Sequence, residues 1–513
     1  MPFQIDEREA CIRVSNAAWQ IEHLRAAGGA WSSIRFTNGS ATGLLQRPLN
    51  SAVRFVKSDP GSESGVYTAF CEANEPHPRM RVEHIGEVTA VIAEGTYRNE
   101  KGEPIPVGYR RRTEYHEHGL IWTTLELMSD SGCDEVVEVR ALEMFLRAGM
   151  SNCFVRFHPT QAGGSDLLGG RAWYDLNALV PDATGQTQCA TPFLSRYTPL
   201  QIMCCQRGVE GIELFPGSEL SQWDCSLKPE IGLGLYRVEH SGAGTTIELS
   251  PYCMALRRIK VKLQGTLAFR LGIGLPLLAP REHALKTVCY SPASSGSRWA
   301  SDDDIGKMAS AGVELIRFQN DYCEDGTFWR NGMYRPYDEA YMSELKRVVD
   351  TVHRHGMKIV PYISLKEFHP GAPGYARHSN EWMHMAAPSL DIIHNWAGSG
   401  EYGGLMCMKS GWLEFRKHSV DRILAELPWD GLYLDWTTFF PCCHPGHGRG
   451  PFHSDLDGFL DFLFFCRKRL GPAGVLVVNL SGVPSFIAEN LANWVYILED
   501  KLGLFGATEP LKS

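Results

Sequence analysis

Residues 406–436 read MCMKSGWLEFRKHSVDRILAELPWDGLYLDW, and this stretch decides the fold of the second half of the chain. Its first part repeats apolar residues at the spacing of one helix face, and the pattern stops at Pro428, which cannot continue a helix. The apolar run GLYLDW, residues 431–436, follows at once and is typical of a strand buried on both faces. A helix that feeds directly into such a strand predicts a βα unit of a parallel sheet.

The same alternation of helix and strand extends on both sides of this stretch. Five further runs are predicted strands: TVCYS (287–291), VELIRF (313–318), KIVPYI (358–363), GVLVVN (474–479) and WVYILE (494–499). Their order fits either a (β/α)₈ barrel or an open doubly wound sheet. Because no GxGxxG or P-loop motif follows a first strand, the nucleotide-binding open sheets are less favoured. We therefore predict a (β/α)₈, TIM-like barrel over residues 281–513.

This barrel is expected to be incomplete at its C-terminus. Six strands are found by residue 499, where a barrel has eight, and a complete barrel typically needs about 250 residues. The pattern therefore predicts a truncated barrel and a chain that is part of a longer protein.

Residues 1–280 have a different character, with short β-branched and aromatic runs separated by Gly, Pro, Asn and Asp. Examples are VTAVIAEGTY (88–97) and GLIWTTLELM (119–128). Sequential strands without crossover helices pair antiparallel, so this half is predicted to be an all-β antiparallel sandwich, with an up-and-down barrel as the alternative. The segment PLLAPREH, near residue 280, is the expected linker between the two domains.

Composition excludes several classes of protein. The 513 residues include 50 Lys and Arg against 59 Asp and Glu, a net charge of −9, and the basic residues form no stripe that would bind nucleic acid. No apolar run is long enough to span a membrane, and the first residues do not resemble a signal peptide. The 15 cysteines form no regular framework, which favours reduced thiols and a cytoplasmic location.

Carboxylates end two of the predicted strands. In a βα barrel the catalytic side chains lie at the carboxyl ends of the strands. Alternation along GLYLDW places the side chain of Asp435 on the interior side. The sixth strand ends in Glu499 and Asp500, and the pattern does not show which of these two side chains faces the interior. Two carboxyl groups that meet at one edge are what glycosidic bond cleavage requires, although each residue alone is also a common turn former or helix cap.

The stretch 406–436 resembles the helix and fourth strand of retaining glycoside hydrolases with a catalytic barrel, in particular the α-galactosidase-like clan. The resemblance lies in the DGLYLD pattern and, more loosely, in the layout of residues 287–500. It implies Asp435 as the nucleophile and Asp500 or Glu499 as the acid/base. It also implies a β-sandwich before the barrel, and it specifies no substrate.

Other polar and aromatic residues near the strand ends are candidates for binding a carbohydrate substrate. Each also has a structural alternative, namely a salt bridge, a loop cap or loop packing. These candidates are Arg317, Lys366, Glu367, Trp396, Asn479 and His447.

The segment CCHPGHGRGPFH, residues 442–453, gathers Cys and His side chains, but its spacing matches no familiar zinc motif. We therefore predict neither a metal nor another cofactor. The leading interpretation is a retaining glycosidase that acts on an O-glycosidic bond. The alternatives are a carbohydrate-binding barrel without catalysis and, less favoured, a zinc-dependent hydrolase.

Overall fold

The computed structural model divides into two compact units, of which the first comprises Met1–Thr160 and Ala172–Ala279 and the second contains Pro280–Ser513. The structure describes residues 3–55, 68–129, 135–147, 152–159, 173–175, 187–188, 197–206, 210–220, 236–241, 243–249, 252–253, 261–262, 265–277, 286–290, 299–319, 339–368, 370, 372, 374–387, 390–395, 402–449, 453–479 and 485–496.

The described part of the first unit consists of antiparallel strands and three short 3₁₀ helices. The strands are β1 (Gln4–Glu7), β2 (Cys11–Ser15), β3 (Trp19–Leu24), β4 (Trp31–Phe36), β5 (Asn50–Phe55), β6 (Thr68–Cys71), β7 (Arg79–Ile85), β8 (Val88–Arg98), β9 (Pro104–Tyr115), β10 (Leu120–Ser129), β11 (Glu135–Arg147), β12 (Asn152–Pro159), β13 (Trp173–Asp175), β14 (Thr187–Gln188), β15 (Tyr197–Gln206), β16 (Glu210–Pro216), β17 (Tyr236–Ser241), β18 (Gly244–Leu249), β19 (Tyr252–Cys253), β20 (Val261–Lys262) and β21 (Gly265–Gly274). The 3₁₀ helices are Arg25–Ala27, Glu72–Asn74 and Glu117–Gly119.

Strands β1–β4 form a four-stranded sheet, and β5–β21 form one large sheet that curls until its strand pairings close on themselves. Long β11 pairs with β5 along one edge and with β18, β19 and β20 along the other. Its pairing with β5 shifts register between Val136 and Glu138 and again between Arg140 and Glu143. Such bulges bend a strand and increase its twist. The predicted sandwich is therefore wrong. A sandwich consists of two sheets packed face to face, whereas β5–β21 form a single sheet that curls on itself.

The four-stranded sheet and the curled sheet share one hydrophobic core. His23 of β3 lies in this core with 1% of its surface exposed. Its Nδ1 lies 3.1 Å from the carbonyl oxygen of Gly29, and its Nε2 lies 2.6 Å from the hydroxyl of Tyr115. Burial lowers the pKa of His23 to about 4, so this imidazole is neutral at physiological pH.

The buried neutral His23 predicts that the chain loses stability in mild acid. The folded-state pKa lies below the unfolded value of 6.5, so the unfolded chain binds more protons as the pH falls. Between about pH 7 and about pH 5 we expect a loss of about 2 kcal/mol in the free energy of unfolding. Urea unfolding at the two pH values measures this loss. In His23→Leu the difference between the two pH values should shrink by that amount, and an unchanged difference would contradict the assignment.

The described part of the second unit combines thirteen strands with six α-helices. The strands are β22 (Thr287–Tyr290), β23 (Leu315–Phe318), β24 (Lys358–Ser364), β25 (Glu367–Phe368), β26 (Met385–Ala387), β27 (Leu390–Asp391), β28 (Ile393–Asn395), β29 (Tyr402–Leu405), β30 (Gly431–Asp435), β31 (Pro441–Cys442), β32 (His453–Ser454), β33 (Val475–Asn479) and β34 (Trp494–Tyr496). The helices are α1 (Asp302–Ser310), α2 (Glu339–Arg354), α3 (Tyr375–Trp382), α4 (Trp412–Glu426), α5 (Leu456–Leu470) and α6 (Phe486–Leu491).

Six of these strands form one parallel sheet in the order β22-β23-β24-β30-β33-β34. Each of the six strands predicted from the sequence is present in it. The predicted (β/α)₈ barrel, complete or truncated, is nevertheless wrong. In the described residues β22 and β34 do not pair with each other, and closing such a barrel requires eight strands. The described residues of this unit form an open parallel sheet.

Amphipathic helices cover this sheet. Helix α2 has one face of fully buried residues. Gly356 follows this helix with φ 71°, a left-handed conformation that ends a helix. The buried face consists of Leu345, Val348, Val349 and Val352. Each such side chain contributes about 1.5–3 kcal/mol of burial free energy. No helix in the described ranges combines the length and the apolar character needed to cross a membrane.

Candidate active site

Asp435 is the last residue of β30 and lies at the carboxyl edge of the parallel sheet. Among the described residues, the hydroxyl of Tyr362 donates to Oδ2 of Asp435 at 2.5 Å, and the backbone N–H of Trp436 donates to Oδ1 of the same carboxylate at 2.8 Å. Hydrogen bonds of this kind favour the ionised form of a carboxyl group. Ligands of open α/β sheets bind outside the carboxyl ends of the strands. Asp435 is thus an oriented acidic group at the edge where such sites form.

The backbone directly after this carboxylate is strained. Trp436 has φ 54°, and among the described non-glycine residues only His118 also has a positive φ. A left-handed conformation costs a bulky L-residue roughly 1–2 kcal/mol. The N–H that binds Asp435 belongs to this strained residue. Backbone strain of this kind clusters at functional sites, so its position beside Asp435 favours a functional role for the carboxylate.

Tyr362, the side-chain donor to Asp435, comes from the neighbouring strand β24. It pairs in register with Tyr433 of β30, and the two rings meet edge to face with centroids 5.3 Å apart. Burial raises the pKa of Tyr362 well above its ordinary value, and the carboxylates of Asp435 and Glu367 raise it further. The phenol therefore stays protonated and remains a donor to Asp435.

Arg317 and Asn479 lie on the same face of the sheet as Asp435, because the strand registers place them in phase with it. The guanidinium of Arg317 lies 5.2 Å from the centroid of the Tyr433 ring, and Arg317 keeps 7% of its surface exposed. Asn479 ends β33 and is fully buried. The structure thus brings together three of the polar strand-end residues that the sequence indicated.

Lys366 and Glu367 follow β24 and have no exposed surface. Glu367 accepts a hydrogen bond of 2.7 Å from the hydroxyl of Ser364, and the carbonyl of Ser364 accepts one of 2.5 Å from Arg416. Burial lowers the pKa of Arg416 to about 9. These contacts fix the polypeptide where β24 ends.

Lys366 is part of a buried cluster centred on Asp455, the residue that precedes helix α5. Asp455 accepts hydrogen bonds from the ammonium of Lys366, from Nε2 of His384 at 3.0 Å, and from the backbone N–H groups of Phe440 and Met408 at 2.7 and 3.1 Å. Burial opposes ionisation, but the charges of Lys366 and His384 hold the pKa of Asp455 well below its usual range. This carboxylate therefore ties four separate segments together.

Five Cys and His side chains gather beside this cluster. The donor atoms of His384, Cys407 and Cys442 lie within 4.8 Å of one another, and so do those of Cys442, His447 and His453. The Cys407 thiol donates to Cys442, and together with the three imidazoles it holds the pKa of the Cys442 thiol well below its usual range, although burial opposes this. Cys442 is thus the acidic centre of the group.

The remaining predicted site residues are distributed as follows. His447 is 4% exposed, and its Nε2 lies 2.5 Å from the carbonyl oxygen of Glu381. Trp396, Glu499 and Asp500 lie outside the described residues.

Sequence reasoning missed Tyr362, Asp455, His384 and Cys407. Asp455 directly precedes a strongly apolar helix, the usual place of an N-cap, and that signal was available. Tyr362 lies in phase with Asp435 on an adjacent strand, but a tyrosine inside the apolar run KIVPYI is also typical of a core residue. His384 and Cys407 carry no local motif that would join them to Cys442.

Comparisons with known proteins give one family match and several structural likenesses. A family model described as "Domain of unknown function (DUF6259)" matches residues 324–453. No curated protein matches the chain.

The structural likenesses are to α-galactosidases, several of them described as GH36 enzymes. The enzyme AgaB from Geobacillus stearothermophilus is 10% identical, with a TM-score of 0.42, 93% of this chain covered and 72% of that one. An AgaA variant from the same organism, in complex with stachyose, is 10% identical, with a TM-score of 0.45 and coverages of 96% and 74%. TtGalA from Thermus thermophilus is 14% identical, with a TM-score of 0.37 and coverages of 82% and 78%. At these TM-scores the function has to be argued from the residues of the chain itself.

Proposed function

We propose that this chain is a glycoside hydrolase that cleaves an O-glycosidic bond with two carboxyl groups and with retention of configuration. Asp435 is the nucleophile, and the acid/base is Glu499 or Asp500, which follow β34. The observation that carries the proposal is the setting of Asp435: a carboxylate at the carboxyl edge of a parallel sheet, held by Tyr362 and by the N–H of the strained Trp436.

This setting suits a nucleophile in two ways. A carboxylate attacks an anomeric carbon only when it is ionised, and its two donors favour that form. The donors also fix the direction of the carboxylate, and correct orientation lowers the barrier to attack. A carboxylate that served only as a turn former would not require the tyrosine of a neighbouring strand or a left-handed tryptophan.

The strand order supports an acid/base after β34. One strand, β33, separates β34 from β30. Neighbouring strands lie about 4.8 Å apart, so the two backbones are roughly 10 Å apart. Retaining enzymes hold their two carboxyl groups about 5–5.5 Å apart, a separation within reach of side chains that follow two strands so spaced.

The reaction follows in two steps. Asp435 attacks the anomeric carbon while the glycosidic bond breaks, and the leaving oxygen takes the proton of the acid/base. Water then attacks the glycosyl-enzyme ester and gives its proton back to the acid/base, which releases the sugar and frees Asp435. Neither step needs a cofactor. Arg317 is the proposed hydrogen-bond donor to sugar hydroxyls, and Trp396 is proposed to stack on a sugar ring.

Two further candidates, Asn479 and His447, are 0% and 4% exposed, and Nε2 of His447 contacts the carbonyl oxygen of Glu381. Lys366 and Glu367, the remaining candidates for substrate binding, have no exposed surface either. Their contacts favour a different part in the proposed enzyme. Glu367 helps to keep the Tyr362 phenol protonated, and Lys366 anchors the polypeptide that follows β24.

The test is hydrolysis of a panel of nitrophenyl glycosides, α and β anomers of the common hexoses and pentoses, by the whole chain. We expect release of nitrophenol from at least one of them, with NMR of the first product showing the same anomer as the substrate. Sugar binding by calorimetry without hydrolysis of any glycoside would contradict the proposal and favour a non-catalytic carbohydrate-binding protein. Inversion of the anomer would contradict the nucleophilic role of Asp435.

A further inference from the structure

The cluster of Cys and His residues has no part in the proposed glycosidase reaction, yet it is the densest group of metal donors in the described residues. Cys407, Cys442, His384 and His453 are fully buried, and His447 nearly so. The five residues come from three segments: His384 follows α3, Cys407 follows β29, and Cys442, His447 and His453 lie on and between β31 and β32. The fold therefore brings His384 and Cys407 to a group of donors, residues 442–453, that is distant from them in sequence.

The distances fit a tetrahedral metal site. Two triads share Cys442, one completed by His384 and Cys407 and the other by His447 and His453, with donor atoms at most 4.8 Å apart in each. The sulfur of Cys442 lies 3.5 Å from Nδ1 of His447. In a tetrahedral zinc site with Zn–S near 2.3 Å and Zn–N near 2.0–2.1 Å, sulfur and nitrogen are also about 3.5 Å apart.

Several imidazole nitrogens in the cluster are buried without a hydrogen-bond partner of good geometry. They are Nδ1 of His384 and both ring nitrogens of His453. Leaving a buried polar atom unsatisfied costs about 1–3 kcal/mol. Coordination of one metal ion would satisfy Nδ1 of His384 and one ring nitrogen of His453, because an imidazole binds a given ion through a single nitrogen.

The outer contacts of two histidines fit the same interpretation. Nε2 of His384 faces the carboxylate of Asp455 at 3.0 Å, and Nε2 of His447 faces the carbonyl of Glu381 at 2.5 Å. Both contacts place the ring proton on Nε2 and leave Nδ1 for the cluster. Metal-bound histidines almost always bind a carboxylate or carbonyl through their other nitrogen in this way.

We propose that this cluster binds one zinc ion, with Cys442 as the ligand common to both triads and further ligands drawn from Cys407, His384, His447 and His453. Thiolate together with imidazole is the donor set that zinc prefers in structural sites. The burial of all donors leaves no open position for a substrate, so the metal is structural. It fastens the segments around residues 384–407 and 442–453 to each other.

The test measures metal in the whole, untagged chain after dialysis against a weak chelator. We expect about one zinc per chain by mass spectrometry of metals. Cys442→Ser should reduce this to less than about a tenth, because it removes the shared ligand, whereas Cys443→Ser should keep the full amount. Cys443 is the matched control, since it is the adjacent cysteine and belongs to neither triad.

A second measurement decides the matter if Cys442→Ser does not fold. Cobalt substituted into the wild-type chain should give a thiolate-to-cobalt charge-transfer band and the intense visible bands of tetrahedral cobalt. Absence of bound zinc together with a disulfide between Cys407 and Cys442 would overturn the proposal. So would full zinc content in folded Cys442→Ser, or a cobalt spectrum without thiolate character.

Discussion

Replacement of Asp435 by asparagine is expected to reduce kcat by on the order of 10³-fold or more on the glycoside that the wild-type chain hydrolyses best. The amide has nearly the size of the carboxylate, but it is neutral and does not form the glycosyl ester. It still offers one oxygen to Tyr362 or to the N–H of Trp436. The fold should therefore persist, with a loss of about 1 kcal/mol in the free energy of unfolding. Steady-state kinetics and urea unfolding of the same preparation measure the two effects.

Asp430→Asn is the matched control for this variant. Asp430 stands just before the same strand, β30, at its opposite end, where it accepts hydrogen bonds from the backbone N–H of Ile359 at 2.8 Å and from Nε2 of His353 at 2.9 Å. The substitution is chemically identical but far from the carboxyl edge, so kcat should stay within about twofold of wild type. Comparable losses in both variants would mean that the effect on Asp435→Asn is structural. Near-wild-type turnover by Asp435→Asn would end the nucleophile assignment.

The parallel strands of the second unit could be located from the sequence. Whether they close into a barrel could not be predicted from it. Buried parallel strands such as GLYLD and VLVVN are continuous apolar runs between amphipathic helices, and this pattern is local. Whether such strands form a ring depends on strand number, tilt and stagger, which no local pattern encodes. The same limit applies to the first unit. The bulges that bend β11 depend on its partner β5, so periodicity alone does not separate a flat sandwich layer from a curled sheet.

Prediction of the site had a similar limit. Alternation along β30 is enough to place Asp435, Tyr433 and the edge of the sheet together. It does not reveal that Trp436 takes a left-handed conformation, because nothing in the sequence requires a tryptophan to do so. For the Cys and His cluster, the spacing of residues 442–453 argued against a metal. Sequence spacing compares only neighbours along the chain, whereas His384 and Cys407 join the cluster from other segments.

Replacement of Asp455 by asparagine is expected to destabilise the chain by about 3–5 kcal/mol, the cost typical of breaking a buried ion pair by removal of one partner. Lys366 and Asp455 both lack any exposed surface, so the variant leaves a buried ammonium without its counter-charge. The asparagine amide also has one acceptor oxygen, whereas the donors to Asp455 use both carboxylate oxygens in the wild-type chain. Urea unfolding measures the loss, with excess zinc and again with a chelator, so that the ion pair and the proposed metal site are separated.

Two further variants identify the cause of that loss. Lys366→Met in the Asp455→Asn background removes the unpaired ammonium, so it should recover part of the lost free energy of unfolding, as expected for coupled residues. Asp350→Asn breaks the exposed pair with Lys346 and should cost at most about 0.5 kcal/mol.

A further check measures unfolding in acid. The pKa of Asp455 lies below its unfolded value, so its stabilising contribution exists above that value and disappears as the pH falls. Asp455→Asn should therefore unfold with less dependence on pH in acid than wild type. An equal cost for the buried and the exposed substitution would show that Asp455 does not hold its four segments together.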